Sequence, residues 1–202
     1  MSTYKLKRGR KAAYHHGRLK SGLLQAAAYL MEKQGVEYIS LREAARLAGV
    51  SHNAPYRHFP DRDALLAALA GEGFEILGRA LEASARSGPQ ARAEAYVRFA
   101  LGHPRRFRLM FGRGLRLDAH PGLRGQAARA YDGLVRSFAA MADARAAEVA
   151  AAAAWSLTHG LASLLLDGHF RRATQDGRET ETFVRAVLGA IRITLGAAQR
   201  SA

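Results

Sequence analysis

Apolar residues recur along this chain at intervals of three and four, and no segment shows convincing period-two alternation, so the pattern predicts helices and no strands. The first stretch runs from Arg18 to Gln34, where Leu19, Leu23, Ala26, Ala27 and Leu30 share one face and Gly35 ends the element. Ser40, followed three residues later by Glu43, has the form of a capping box, in which the serine hydroxyl and the glutamate side chain each satisfy an orphan amide. It opens a short helix from Leu41 to Ala48. Gly49 breaks that helix, Val50 can anchor the turn in the core, and Ser51 is placed to cap a third helix over His52 to His58. Phe59-Pro60-Asp61 is the next break, with Asp61 as N-cap of a long helix reaching Arg86. Beyond Ser87-Gly88-Pro89 the pattern predicts helices over 90–102, 104–111, 122–142, 144–167 and 178–199. The alanine run from Ala150 to Ala154 reads as tight helix packing, because its flanks keep the helical period. Residues 1–16 have no apolar period and read as a flexible basic arm.

Composition strengthens the all-α assignment, since alanine, leucine and arginine dominate while β-branched residues are sparse. Cysteine is absent, which excludes disulfides, thiolate metal sites, cysteine nucleophiles and thiol redox sensing. No apolar run follows the N-terminal basic residues, and no charge-free stretch reads as long enough to span a bilayer. A soluble, cytoplasmic protein with no membrane partner is the expectation. The formal net charge is +14, and the first twenty residues hold Lys5, Lys7, Arg8, Arg10, Lys11, Arg18 and Lys20 with no acidic residue. A polyanion is the natural partner of such a segment.

A supporting helix, a second helix, a glycine turn and a third helix form the arrangement that lays a recognition helix into the major groove. Here Ala45 is small where the two helices approach, Gly49 supplies the turn and Val50 is its buried residue. From Gly17 to Leu69 the sequence resembles the DNA-binding domain of the tetracycline-repressor (TetR/AcrR) family, most specifically in Tyr56-Arg57-His58-Phe59 followed by Asp61 and Ala64-Leu65-Leu66. The resemblance implies that the third helix reads double-stranded operator DNA through Ser51, His52, Asn53, Tyr56, Arg57 and His58, with Arg42 contributing from the second helix. Side chains at the helix N-terminus, His52 and Asn53, can reach base edges, whereas Tyr56, Arg57 and His58 suit phosphate. Two residues depart from the family pattern. Pro55 stands where a larger aliphatic residue is usual, and Arg62 replaces a commoner lysine while keeping positive charge near DNA.

The second half resembles the Trp-His-Gly subclass of this family's regulatory domains. The matching segments are Tyr96-Val97-Arg98-Phe99-Ala100, His103-Pro104 with Phe107-Arg108-Leu109-Met110-Phe111, and Trp155 followed by Thr158-His159-Gly160-Leu161. What this implies is a helical sensor and dimerisation domain. The expected organisation is therefore a basic arm over 1–16, a helix-turn-helix DNA-binding domain over 17–62 and an effector-binding and dimerisation domain over 63–202. In the family the last two helices pair with those of a second subunit, so Leu157, Leu161 and Leu164 are candidates for a homodimer interface. Candidates for lining a pocket are Phe74, Phe99, Phe107, Met110, Phe111, Tyr131 and Phe138, each of which taken alone also reads as core. Trp155 and His159, four residues apart, stack on one helix face beside them.

His103, His159 and His169 have no ligand-like spacing with a carboxylate, and neither a serine elbow nor a phosphate loop nor a carboxylate pair is present. No enzymatic activity, metal or cofactor is expected. The reading that results is a DNA-binding transcriptional regulator, a repressor released from a palindromic operator by a small apolar or aromatic effector. The alternative is a regulator or activator with no natural effector.

Overall fold

A computed structural model of the chain describes residues 16–112, 114, 115, 119–139 and 143–190. The basic arm lies outside the described residues, except that His16 begins the first helix. Among the described residues there are eight α-helices and no strands. They are α1 (His16–Lys33), α2 (Leu41–Ala48), α3 (Arg62–Ala83), α4 (Gly88–Gly102), α5 (Pro104–Phe111), α6 (Pro121–Ala139), α7 (Ala144–Leu166) and α8 (Gly177–Ala190). The stretch beyond Ala190, predicted to continue the last helix, is outside the described residues, as are residues 140–142, which the sequence reading put in the helix over 122–142.

Local chemistry sets the helix ends. Asp61 accepts a hydrogen bond from the Ala64 amide and Asp143 from the Ala146 amide, each at 2.8 Å. Ser40 Oγ likewise accepts from the Glu43 amide at 3.1 Å. The reciprocal half of that capping box does not form, because the Glu43 carboxylate accepts instead from Arg46 Nε at 2.9 Å. Helix α3 stops at Ala83, short of the predicted Arg86. There the Ser84 hydroxyl donates to the carbonyls of Ala80 and Leu81, and a 3-10 turn over Ala85–Ser87 follows.

The largest departure from the sequence reading is the third helix. Only a 3-10 turn over Ala54–Arg57 forms where an α-helix over 52–58 is predicted. The cause is Pro55. In an α-helix its nitrogen would donate to the Ser51 carbonyl, but proline has no N–H. Ser51 O takes the Ala54 amide instead at 3.0 Å, which tightens the turn to an i to i+3 pattern. Ser51 therefore contributes its backbone carbonyl and not a side-chain cap.

Helix α3 is the spine, packing against α1 near its start and against α4, α5 and α6 further along. Helix α4 packs on α7 and α8, and α6 closes on α7. One apolar core runs continuously from Leu23 on α1, through Leu65, Leu69 and Leu77 on α3, to Val184 and Leu188 on α8. Gly73 lets α5 lie close against α3, since a Cβ there would sit 2.5 Å from Met110 Sδ.

Helix α7 corrects two expectations. By length and composition Ala144–Leu166 is apolar enough to cross a membrane, although the sequence reading found no such stretch. Its inner face carries Ala147, Ala150 and Ala151, all buried against Phe138 and its neighbours on α6, which is the tight packing that the alanine run predicts. At about 100° per residue, Leu161 falls on this inner arc with Thr158 and Ala162, and it is 6% exposed. It belongs to the core of this chain and is unavailable as an interface residue. Leu157 and Leu164 lie only about 40° and 60° round from Leu161, at the start of the outer arc that also carries Val149, and all three are exposed.

Candidate functional site

Helix α2, its turn and the 51–58 segment form an outward-facing ridge at one end of the molecule. Gly49 adopts the left-handed conformation with φ 69° and ψ 30°, which turns the chain directly after α2, and the Val50 amide returns to Ala45 O at 3.0 Å. Pro55 and Phe59 are buried beneath the segment, so they fix its height against the core. Arg42, Ser51, His52, Asn53, Tyr56 and Arg57 are all exposed on the ridge, with Tyr56 52% exposed. His58 is half-buried with its ring beside Phe59. Arg62 is exposed as well, but its side chain is tied down. Its guanidinium donates to the carbonyls of Ile39 and Val36, both at 2.7 Å, and so staples the start of α3 to the loop before α2.

The second feature is a cavity of about 250 Å³ bounded by α3, α4, α5, α6 and α7. Of the residues predicted to line a pocket, Phe74, Met110, Phe111, Tyr131, Phe138 and Trp155 do so. Phe99, Phe107 and His159 do not. Phe99 is buried against His103, and Phe107 stacks on the His159 ring with centroids 5.2 Å apart, so both phenylalanines are core. His159 stands one layer behind the wall. Its Nδ1 lies 2.8 Å from the Tyr96 hydroxyl, which also accepts from Trp155 Nε1 at 3.3 Å. The Tyr96 oxygen can accept from tryptophan and give its own proton to Nδ1 when His159 is the neutral Nε2–H tautomer. Burial pushes the Tyr96 phenol well above its ordinary range and holds the His159 imidazole below its own.

Sequence reasoning missed the α4 side of this wall. Pro89, Arg92, Ala93 and Tyr96 line the cavity from one face at i, i+3, i+4 and i+7, a spacing that was available in the sequence but carried no aromatic signal before Tyr96. Thr158 was quoted only as part of the resemblance, and it too lines the cavity.

Residues 23–69 match the model for bacterial regulatory proteins of the tetR family, and residues 89–190 match the model for the tetracyclin repressor-like C-terminal domain. The chain belongs to the tetracycline-repressor family. Among solved structures, a protein of unknown function from Rhodococcus sp. RHA1 is 37% identical, with a TM-score of 0.71 over 89% of this chain and 94% of that one. A TetR/AcrR-family transcriptional regulator from Thermobifida fusca YX-ER1 shares the fold at 17% identity and a TM-score of 0.60, over 86% and 98% of the two chains. The multidrug binding protein EbrR, solved with imidazole, shares it at 23% identity and 0.56, over 89% and 97%. No functionally curated protein matches the chain significantly.

In this tetracycline-repressor family member α5 connects the cavity wall to α3 and to α1, the helix on which the ridge packs. Met110 and Phe111 line the cavity from the C-terminal part of that helix. From its N-terminal turn, Arg105 donates to the Met31 and Glu32 carbonyls at the end of α1. Arg106, itself buried, donates to Leu69 O on α3 at 3.1 Å and lies 3.8 Å from Glu72. Burial raises the Glu72 carboxyl above its usual range, with the Arg106 charge opposing that shift.

Proposed function

We propose that the protein is a transcriptional repressor that binds an inverted-repeat operator as a homodimer in the cytoplasm and leaves it when a small apolar or aromatic molecule enters the cavity. The observation that carries this reading is the double attachment of α5. The helix that lines the cavity with Met110 and Phe111 also holds the end of α1 through Arg105 and the middle of α3 through Arg106. An occupant that shifts α5 must also shift the helices on which the helix-turn-helix rests. Such a molecule needs only a difference in affinity between the two arrangements. An open cavity supports this account over a regulator without an effector, whose pocket would be filled by side chains.

Contacts to DNA fall to Arg42, Ser51, His52, Asn53, Tyr56 and Arg57, with half-buried His58 at the edge. The dimer would form on the outer arc of α7, where Val149, Leu157 and Leu164 stand exposed, together with α8. A second copy covering that arc also accounts for its apolar character without a bilayer. Two-fold symmetry then presents two identical ridges to two half-sites. Selection of bound duplexes from a random pool should return an inverted repeat, and Tyr56→Ala or Arg57→Ala should weaken its binding while the dimer persists. Recovery of sequence-independent binding alone would refute the operator reading.

A further inference from the structure

Among the described residues Arg92 is the one charged residue that lines the cavity, and no carboxylate among them lines it. It stands half-buried on α4, where Nε donates to Leu81 O at 3.4 Å and Nη1 to Gly133 O at 3.3 Å. Those two bonds hold the guanidinium between α3 and α6 and occupy two of its five N–H donors, leaving three. Among the described residues no carboxylate lies within ion-pair distance of it. Thr158 adds one uncharged hydroxyl to the wall, and the remaining polar groups there are engaged. Ser137 Oγ donates to Leu134 O, the Tyr131 hydroxyl reaches Glu148 O, and the Tyr96 hydroxyl is held by Trp155 and His159. The remaining surface is apolar, with Phe74, Leu77, Met110 and Phe111 on one side and Leu134 and Phe138 on the other.

We infer that the cavity selects an amphiphilic carboxylate, with an aromatic or aliphatic body against the apolar wall and its carboxylate on Arg92. This rests on reading the cavity as the effector site. Water can reach the half-buried guanidinium while the cavity is empty, but a bound molecule displaces that water. The occupant must then supply the acceptors, because donors left unpaired beside an apolar wall are costly. A planar carboxylate meets the guanidinium fork with two parallel charge-assisted bonds. An alcohol supplies one weaker acceptor, and an ammonium brings a second positive charge to a wall with nothing to neutralise it. The chain's net charge of +14 works in the same direction by drawing anions toward the protein.

The test uses ω-phenylalkyl compounds of graded chain length in three matched forms, carboxylate, alcohol and amine, titrated into the full-length protein. Binding is read from the emission of Trp155, the only tryptophan and a cavity residue, and from the thermal midpoint. The carboxylates should bind about tenfold to a hundredfold tighter than the alcohols of the same length, with the amines weakest. Arg92→Met should erase the difference between acid and alcohol while keeping the alcohol affinity, and Arg92→Lys should keep part of it. If alcohols or amines bind the unaltered protein as tightly as the acids, the carboxylate assignment is overturned and the cavity reading stands. The same holds if Arg92→Met retains the preference. If none of the compounds binds, the effector reading fails together with it.

Discussion

Arg105→Ala is the sharpest perturbation of the link between cavity and helix-turn-helix. Arg105 sits in the first turn of α5, and its Nη1 donates to Met31 O at 3.0 Å and to Glu32 O. Those carbonyls belong to the last turn of α1, where no intrahelical amide remains to satisfy them and the helix dipole is negative. Hydrogen bonds from a charged donor contribute about 1.5–3 kcal/mol when well shielded. Arg105 is only half-buried and the Glu32 end is exposed, so solvent screening reduces this to about 1 kcal/mol. For a chain of 202 residues that corresponds to a melting point lower by roughly 2–4 °C. The functional effect should exceed the structural one. With α5 detached from α1, a compound in the cavity has one fewer route to the ridge, and the ratio of operator affinities without and with that compound should fall about fivefold for each 1 kcal/mol of coupling lost. Anisotropy of a labelled operator duplex, titrated with protein at zero and saturating compound, measures that ratio directly. Arg105→Lys, which keeps a donor at the α1 carbonyls, should fall between. An unchanged ratio in a variant whose melting point has dropped as expected would show that α5 does not carry the signal through α1.

The outer and inner arcs of α7 predict opposite outcomes for one chemical change. Leu164→Glu, on the exposed arc, should give a folded monomer by sedimentation, whereas Leu161→Glu, in the core, should lower stability by several kcal/mol whatever the oligomeric state; a dimeric Leu164→Glu would remove α7 from the interface. For His159, burial places the folded pKa below the ordinary value of about 6.5, so its contribution to stability is complete above that value and is lost as pH falls through the folded pKa. Glu72, raised by burial, contributes in the opposite sense and loses its share as pH rises through its folded value. Thermal midpoints recorded downward from neutral pH should therefore fall less in His159→Gln, which retains an acceptor for the Tyr96 hydroxyl, than in the unaltered protein; parallel curves would contradict a lowered pKa for this half-buried imidazole.

What was legible in the sequence follows from how local each determinant is. Helix α5 falls at Pro104–Phe111 as predicted, because a proline opens it and Gly112 follows it. The caps at Ser40 and Asp61 act over three residues and are equally visible, and Asp143 acts over the same span although the sequence reading did not single it out. The 51–58 segment shows a local signal read with too little weight. Pro55 falls so near the predicted N-terminus that it need not break a helix, yet the bond it withholds from Ser51 O is the one that would have made that turn α-helical.

The arginines were illegible for a different reason. A guanidinium reads as surface charge until its partner is known, and the partners here are distant in sequence. Arg62 reaches Ile39 and Val36, Arg92 reaches Gly133, and Arg105 reaches Met31. Each donates to backbone carbonyls, so no complementary aspartate or glutamate marks the pairing in the sequence. The cavity poses the same difficulty in a stronger form. Phe107 and Phe111 lie four residues apart on one helix, both against His159, yet only Phe111 borders the open space. Helical period assigns both to the inward face correctly. Which inward residues meet a neighbour and which meet a void depends on the girth of the facing helix, and here α6 presents Ala127 and Ala130 where larger residues would close the space. The emptiness that an effector would use is thus encoded on the helix opposite the aromatic residues that first suggested it.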